Sequence, residues 1–243
     1  MTADLTALGN PSDAVTVITP VFRQAVYLPR CVTSVAWQLR VQDRAIIVED
    51  EPVQPFQFSG TSPGRIDWFG NPKKVGVSQA RNQGILNATT EWIKFLDADD
   101  VLAPFALDAL RARIDAISEE VQVVTGGIHR IINGRYADYL NGARESLDHI
   151  LNYNPILPSA TFVRRSALLE VGMFDERIDF EEDWDLWLRI HERFGKQAFH
   201  IIDQPIAYYW ICDAEQREKD RRGMVNGMTV RDYFRKRYGA DPH

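Results

Sequence analysis

The chain has 243 residues, 45% hydrophobic and 26% charged, ordinary globular values and enough to bury the core of one large domain. Its net charge of −6 argues against nucleic acid as the main partner, and its two cysteines, Cys31 and Cys212, sit in no paired motif, which fits a reducing compartment. No apolar stretch approaches the ~20 residues of a membrane span and the N-terminus lacks a signal-peptide pattern, so a cytoplasmic protein, at most peripheral to a membrane, is predicted.

Val15 to Thr19 (VTVIT) is β-branched throughout, the pattern of a strand buried on both faces, and Pro20 is expected to close it. Leu28, Cys31, Val32, Val35 and Leu39 recur at helical spacing and predict a helix over 27–40. A second buried strand over 45–48 runs into Glu49, Asp50 and Glu51. A loop rich in Pro, Gly and Ser reaches Gly64; 66–69 reads as a third strand, and Val77, Ala80, Gly84, Ile85 and Ala88 mark a helix. The fourth strand opens the stretch WIKFLDADD, Trp92 to Asp100. This alternation predicts an α/β fold with a largely parallel sheet flanked by helices.

The second half changes character. Ala106, Leu110, Ile114 and Ile117 predict an amphipathic helix, and 121–124 a strand. Asn133-Gly134 between two strand-like runs is a strong hairpin signal. A helix is expected around 166–171 and another from Asp183, with Trp184, Trp187, Leu188 and His191 on one face. The runs 198–202 and 206–211 read as two strands. From Arg217 to Tyr238 eight Arg/Lys stand against three Asp/Glu, a basic tail on an otherwise acidic chain. Residues 1–243 are read as one domain: a nucleotide-binding half over 1–100, an acceptor half over 101–211, and the tail over 212–243.

Chemistry concentrates in WIKFLDADD. An unpaired carboxylate is costly to desolvate, so Asp97, Asp99 and Asp100 must lie where the strand leaves the sheet. That is the crevice beyond the strand ends in which open α/β sheets bind ligands. Two acids one residue apart there suit a hard divalent cation that keeps a substrate diphosphate as partner. Taken alone, the short D-x-D string is better read as Asp99 or Asp100 capping the helix that Pro104 helps to open. Its place after a strongly apolar strand, on the same sheet edge as Glu49-Asp50-Glu51, favours the ligand site. Arg81, near a helix start, could hold phosphate there, or simply pair with Asp97 or Asp99. A dinucleotide fingerprint and a P-loop are absent, and the five His residues have no zinc-type spacing. Gly76-Val77-Ser78-Gln79-Ala80 is similar to a hydrolase nucleophile elbow, but that reading gives the aspartates no role.

In order, VTVITPVF, IIVED, VGVSQARNQGI, WIKFLDADD, PSATFVRRSALLEVGMFDE and EEDWDLWLR resemble the family 2 glycosyltransferases of GT-A fold, from about Val15 to Arg189. The resemblance implies transfer of a sugar, with inversion, from a nucleoside diphosphate donor to a carbohydrate or other hydroxyl acceptor, assisted by Mn²⁺ or Mg²⁺. It implies that Pro20 and Phe22 border the base, that Asp50 bonds it (typically uracil), and that Arg81 contacts phosphates or ribose. Asp97 and Asp99 would form the metal-binding D-x-D pair, with Asp97 also near the nucleotide. Asp183 would be the general base, with Glu182, Trp184 and Trp187 near the acceptor. Where the family often has a His close to the end, Tyr208-Tyr209-Trp210-Ile211 carries none, and Arg217, Lys219, Arg221 and Arg222 are read as a possible lid over the diphosphate. A catalytically silent nucleotide-sugar binding module and a nucleotidyltransferase making an activated sugar are the rival readings.

Overall fold

The computed structural model describes residues 13–147, 150–211, 224–225 and 228–238. Four parallel neighbours form its N-terminal half: β1 (Val15–Phe22), β2 (Arg44–Asp50), β3 (Arg65–Asn71) and β4 (Trp92–Phe95), in the spatial order β3-β2-β1-β4. Beyond β4 the pairing turns mixed. β8 (Thr161–Arg164) joins β4 antiparallel, and β6 (Val123–Ile132) joins β8 antiparallel. β9 (Phe199–Ile211) runs parallel to β6, β5 (Val101–Leu102) ends the row against β9, and β7 (Arg135–Leu140) hairpins onto β6. The expected α/β architecture is therefore present, its parallel part being the half that carries the acidic strand ends.

Strand alternation sorts the core into two layers. Ile18, Ile93 and Phe95 face α2 (Val77–Asn87) and α6 (Glu182–Phe194) on one side of the sheet. Val15, Val17, Trp92 and Leu96 face α1 (Leu28–Ala36) and α3 (Ala106–Ile114) on the other. Between β7 and β8 lies α4 (Gly142–Ser146), and α5 (Arg165–Glu170) follows β8. Near the C-terminus a short pair, β10 (Met224–Val225) and β11 (Met228–Thr229), precedes α7 (Val230–Tyr238), whose Tyr238 hydroxyl donates to buried Asp185 on α6 at 2.7 Å. No helix among the described residues is long and apolar enough to cross a membrane.

Three expectations need correction. Pro20 does not end β1, because it pairs with Val48 and the strand continues to Phe22. The carbonyl of Ile18 points towards β4, accepting from Leu96, so two residues on the imino nitrogen of Pro20 points to the same side. β4 has already ended there, at Phe95, and the missing N–H deprives no neighbour. The runs 198–202 and 206–211 are one strand, β9, carried through Pro205 by irregularities in register around Gly127. The helix expected over 27–40 stops at Ala36, leaving Trp37 exposed. The hairpin forms as expected, with Asn133 (φ 50°) and Gly134 (φ 76°) in the left-handed region that a tight turn requires.

Candidate active site

Beyond the ends of β1, β2 and β4 lies a crevice of about 830 Å³ whose walls include Pro20, Phe22, Asp50, Arg81, Asp97 and Asp99. Four separate sequence motifs thus converge on one space. Glu182 and Tyr209 line it from the C-terminal half of the chain.

The acidic turn follows directly from the end of β4. Asp100 N–H bonds back to the Asp97 carbonyl at 3.0 Å, a tight turn that presents Asp97 and Asp99 and buries Asp100. No aspartate of the turn caps α3: Phe105, in the left-handed conformation, stands at that helix start. Asp100 instead accepts the Trp210 N–H at 2.9 Å, tying the end of β9 to the turn. Burial, then the charges of Asp99 and Asp97, raise its pKa well above the ordinary carboxylate range.

Arg81 is the hub. Projecting from α2 and nearly fully buried, it donates to Asp97 at 2.8 Å and to Glu182 at 2.5 Å. Burial alone would lower its pKa, but Asp97 and Glu182 outweigh burial and raise it, so the guanidinium stays charged. The next residue, Asn82, donates to the Phe174 carbonyl at 2.9 Å and to Glu176 at 3.0 Å, and accepts from the Phe174 N–H at 2.9 Å. These bonds explain why ARNQGI, GMFDE and EEDWDLWLR occur together: one helix ties the other two segments to the site. Sequence reasoning missed Asn82, although a polar residue on a core-facing helix position was its signal.

Asp50 is buried and already engaged. One carboxylate oxygen accepts from the Asn71 amide at 3.0 Å, and the other accepts the N–H groups of Val75 and Gly76, each at 2.9 Å. Gly76, at φ 95°, makes the turn that opens α2. Asp50 thus fixes the loop ahead of the Arg81 helix while facing the crevice. Glu49 is held apart from it, bonded to the Trp68 indole at 3.0 Å.

Asp183 sits in the first turn of α6, partly buried, and is not the cap; Glu181, in the left-handed conformation, takes that place. One Asp183 oxygen accepts from the Asn154 amide at 3.0 Å and the other from the Trp184 N–H at 2.8 Å. Burial raises its pKa well above the ordinary range, and Glu182 and Glu181 add to the effect. Asn154, a loop residue without any motif, is a site residue the sequence did not disclose. Glu182, rather than Asp183, lines the crevice. Trp184 and Trp187 are core residues, 3% and 0% exposed, whose indoles bond the carbonyls of Ile150 (2.7 Å) and Ile156 (3.0 Å). Their helical spacing reflects packing, and neither lines the crevice. Arg217, Lys219, Arg221 and Arg222 lie outside the described residues.

The family model described as glycosyl transferase family 2 matches residues 16–172. Identity is 32% over 202 residues to the pre-mycofactocin glycosyltransferase of Mycobacterium tuberculosis, covering 77% of this chain and 41% of that protein. To the PGL/p-HBAD biosynthesis glycosyltransferase of Mycobacterium bovis it is 30% over 181 residues, covering 71% and 68%. Among solved structures, S. aureus TarS in complex with UDP-GlcNAc has a TM-score of 0.65 at 18% identity, over 84% of this chain and 60% of that one. The UDP complex of TarS has a TM-score of 0.62 at 18% identity, over 86% and 63%. At such identity the likeness speaks for the fold. The chain spans 41% of the mycofactocin relative's length and 63% of the UDP-bound TarS chain.

Proposed function

Because this chain belongs to glycosyl transferase family 2, we propose that it transfers a sugar, with inversion, from a UDP-sugar to the hydroxyl of an acceptor. The observation that carries this reading is the bridge from Asp97 through Arg81 to Glu182 inside the crevice formed by Pro20, Phe22 and Asp50. It sets a guanidinium, the natural partner of a phosphate, between the acids at the end of β4 and those at the start of α6. UDP and UDP-GlcNAc in the TarS complexes support a uridine donor by analogy of fold.

In this reading Pro20 and Phe22 border the base and Asp50 offers its carboxylate to the uracil imide. Arg81 meets the diphosphate. The acceptor oxygen attacks the anomeric carbon as the bond to the diphosphate breaks, and Asp183 takes the hydroxyl proton. Asn154 orients that carboxylate, and its raised pKa brings the base closer to neutrality, where proton transfer is most efficient. Asp97 and Asp99 offer hard oxygen donors, the type Mn²⁺ and Mg²⁺ take. Among the described residues no group of three or more His, Cys, Asp or Glu is placed to hold a metal ion by itself. Two carboxylates with donor phosphates and water completing the shell nonetheless fit a magnesium-type site. Asp97 and Asp99 would hold such a cation, which when bound would supply Lewis-acid neutralisation of the leaving diphosphate.

Calorimetric titration with UDP, GDP, CDP and dTDP in the presence of Mn²⁺ tests the reading. UDP should bind most tightly. Failure of all four to bind would overturn it.

A further inference from the structure

Lys94 stands in the middle of β4, and its side chain is fully excluded from solvent. It pairs with Val17 and Phe162 and shares a face with Trp92 and Leu96, in the apolar layer beneath α1 and α3. Packing alone gives no reason for an ammonium here, since burying one costs several kcal/mol even after relaxation. Methionine or leucine would fill the same space without that penalty.

Its partners show what the charge holds. The ammonium donates to two main-chain carbonyls, that of Phe95 and that of Ser159, the latter at 2.7 Å. Phe95 is the last residue of β4, two positions before Asp97. Ser159 lies on a short 3₁₀ turn, Pro158–Ala160, and its hydroxyl accepts the Asp97 N–H at 3.1 Å. Lys94 therefore fastens both backbone segments from which Asp97 is suspended. Asp97 in turn receives Arg81. The carboxylates of Asp100 and Asp97 lie close enough to oppose the effect of burial, which still draws the lysine down to about 7.

We infer that Lys94 is a positioning residue for the donor diphosphate: its buried amino group, through Ser159 and the end of β4, sets Asp97 and hence Arg81. This rests on the reading of the crevice as a nucleotide-sugar site. The mid-strand lysine is a feature of this chain's own sequence, set three residues ahead of Asp97.

Lys94→Met keeps the length of the stem and removes the charge. UDP affinity with Mn²⁺, measured by calorimetry on a variant that melts cooperatively, should fall about tenfold or more, as when a group orienting a ligand-binding side chain is lost. Lys94→Met combined with Asp97→Asn should bind no more weakly than Asp97→Asn alone, because the two act in series. A purely structural lysine would lower the melting temperature and give additive losses of affinity. Wild-type affinity in Lys94→Met, or an additive cycle, overturns the inference. Should Lys94→Met not melt cooperatively, Ser159→Ala carries the test: it removes the hydroxyl on the Asp97 amide and leaves both carbonyls that Lys94 holds. Reduced UDP affinity there supports the inference, and undiminished affinity overturns it. Failure of the wild-type protein to bind any nucleoside diphosphate would instead overturn the reading of the crevice itself.

Discussion

Arg81 donates to Asp97 at 2.8 Å, joining α2 to the turn at the end of β4. The same guanidinium holds Glu182 at 2.5 Å and lies over the Phe174 ring at 5.2 Å, so the turn after β4 and the segment from Phe174 to Glu182 meet on one side chain. Arg81 is 3% exposed, which makes this a buried arrangement rather than a surface ion pair.

Removing one partner of a buried ion pair strands the others. Arg81→Ala should therefore cost about 3–5 kcal/mol of stability, read from urea unfolding, together with most UDP affinity. Arg81→Lys should recover part of the stability and little of the binding, since a point charge cannot serve two carboxylates and a diphosphate in fixed directions. A stability loss under about 1 kcal/mol would give the bridge only the worth of an exposed pair.

Asp99 lines the crevice beside Asp97, and the proposed divalent cation would sit on these two carboxylates. Chelation should abolish sugar release from the donor, and Mn²⁺ or Mg²⁺ should restore it. Asp99→Asn should melt as the wild type does yet lose nearly all turnover. Full activity in EDTA would remove the metal from the mechanism.

Asp50 has a structural duty, accepting the N–H groups of Val75 and Gly76, and a proposed one at the base. The two are separable by ligand. If it reads uracil, Asp50→Ala weakens UDP more than it weakens pyrophosphate. Equal losses in calorimetry would leave it only the loop ahead of α2.

Asp183 carries a raised pKa caused first by burial and then by Glu182 and Glu181. A raised carboxylate favours its protonated form in the folded state. Its contribution to stability therefore declines as pH climbs from the ordinary carboxylate range, near ~3.9, through the raised folded value. Asp183→Asn should flatten that decline and melt no lower than the wild type at neutral pH. In its proposed role as general base it must be ionised, so wild-type transfer should rise with pH through the raised value. The variant should lose about 10²–10⁴-fold in transfer rate with donor affinity kept. Normal transfer by the variant would move the base role elsewhere, Glu182 being the carboxylate that lines the crevice.

Short-range physics made much of this protein readable in its sequence. β-branched runs marked β1 and β2, Asn133-Gly134 marked the β6–β7 hairpin, and three acids after an apolar strand could lie only at a strand end. Those features depend on neighbours a few residues away, and the quoted motifs carried the family. What only the tertiary structure decided is pairing across long separations. Arg81 meets Glu182, 101 residues on, and Asn82 meets the Phe174 carbonyl, 92 residues on. Trp184 and Trp187 proved to be core because the segment at Ile150 and Ile156 supplies carbonyls for their indoles. Lys94 was hidden within an apolar run for the same reason. Period-2 patterning shows which face a residue takes, but not that the Ser159 carbonyl, 65 residues away, waits there to accept its hydrogen bond.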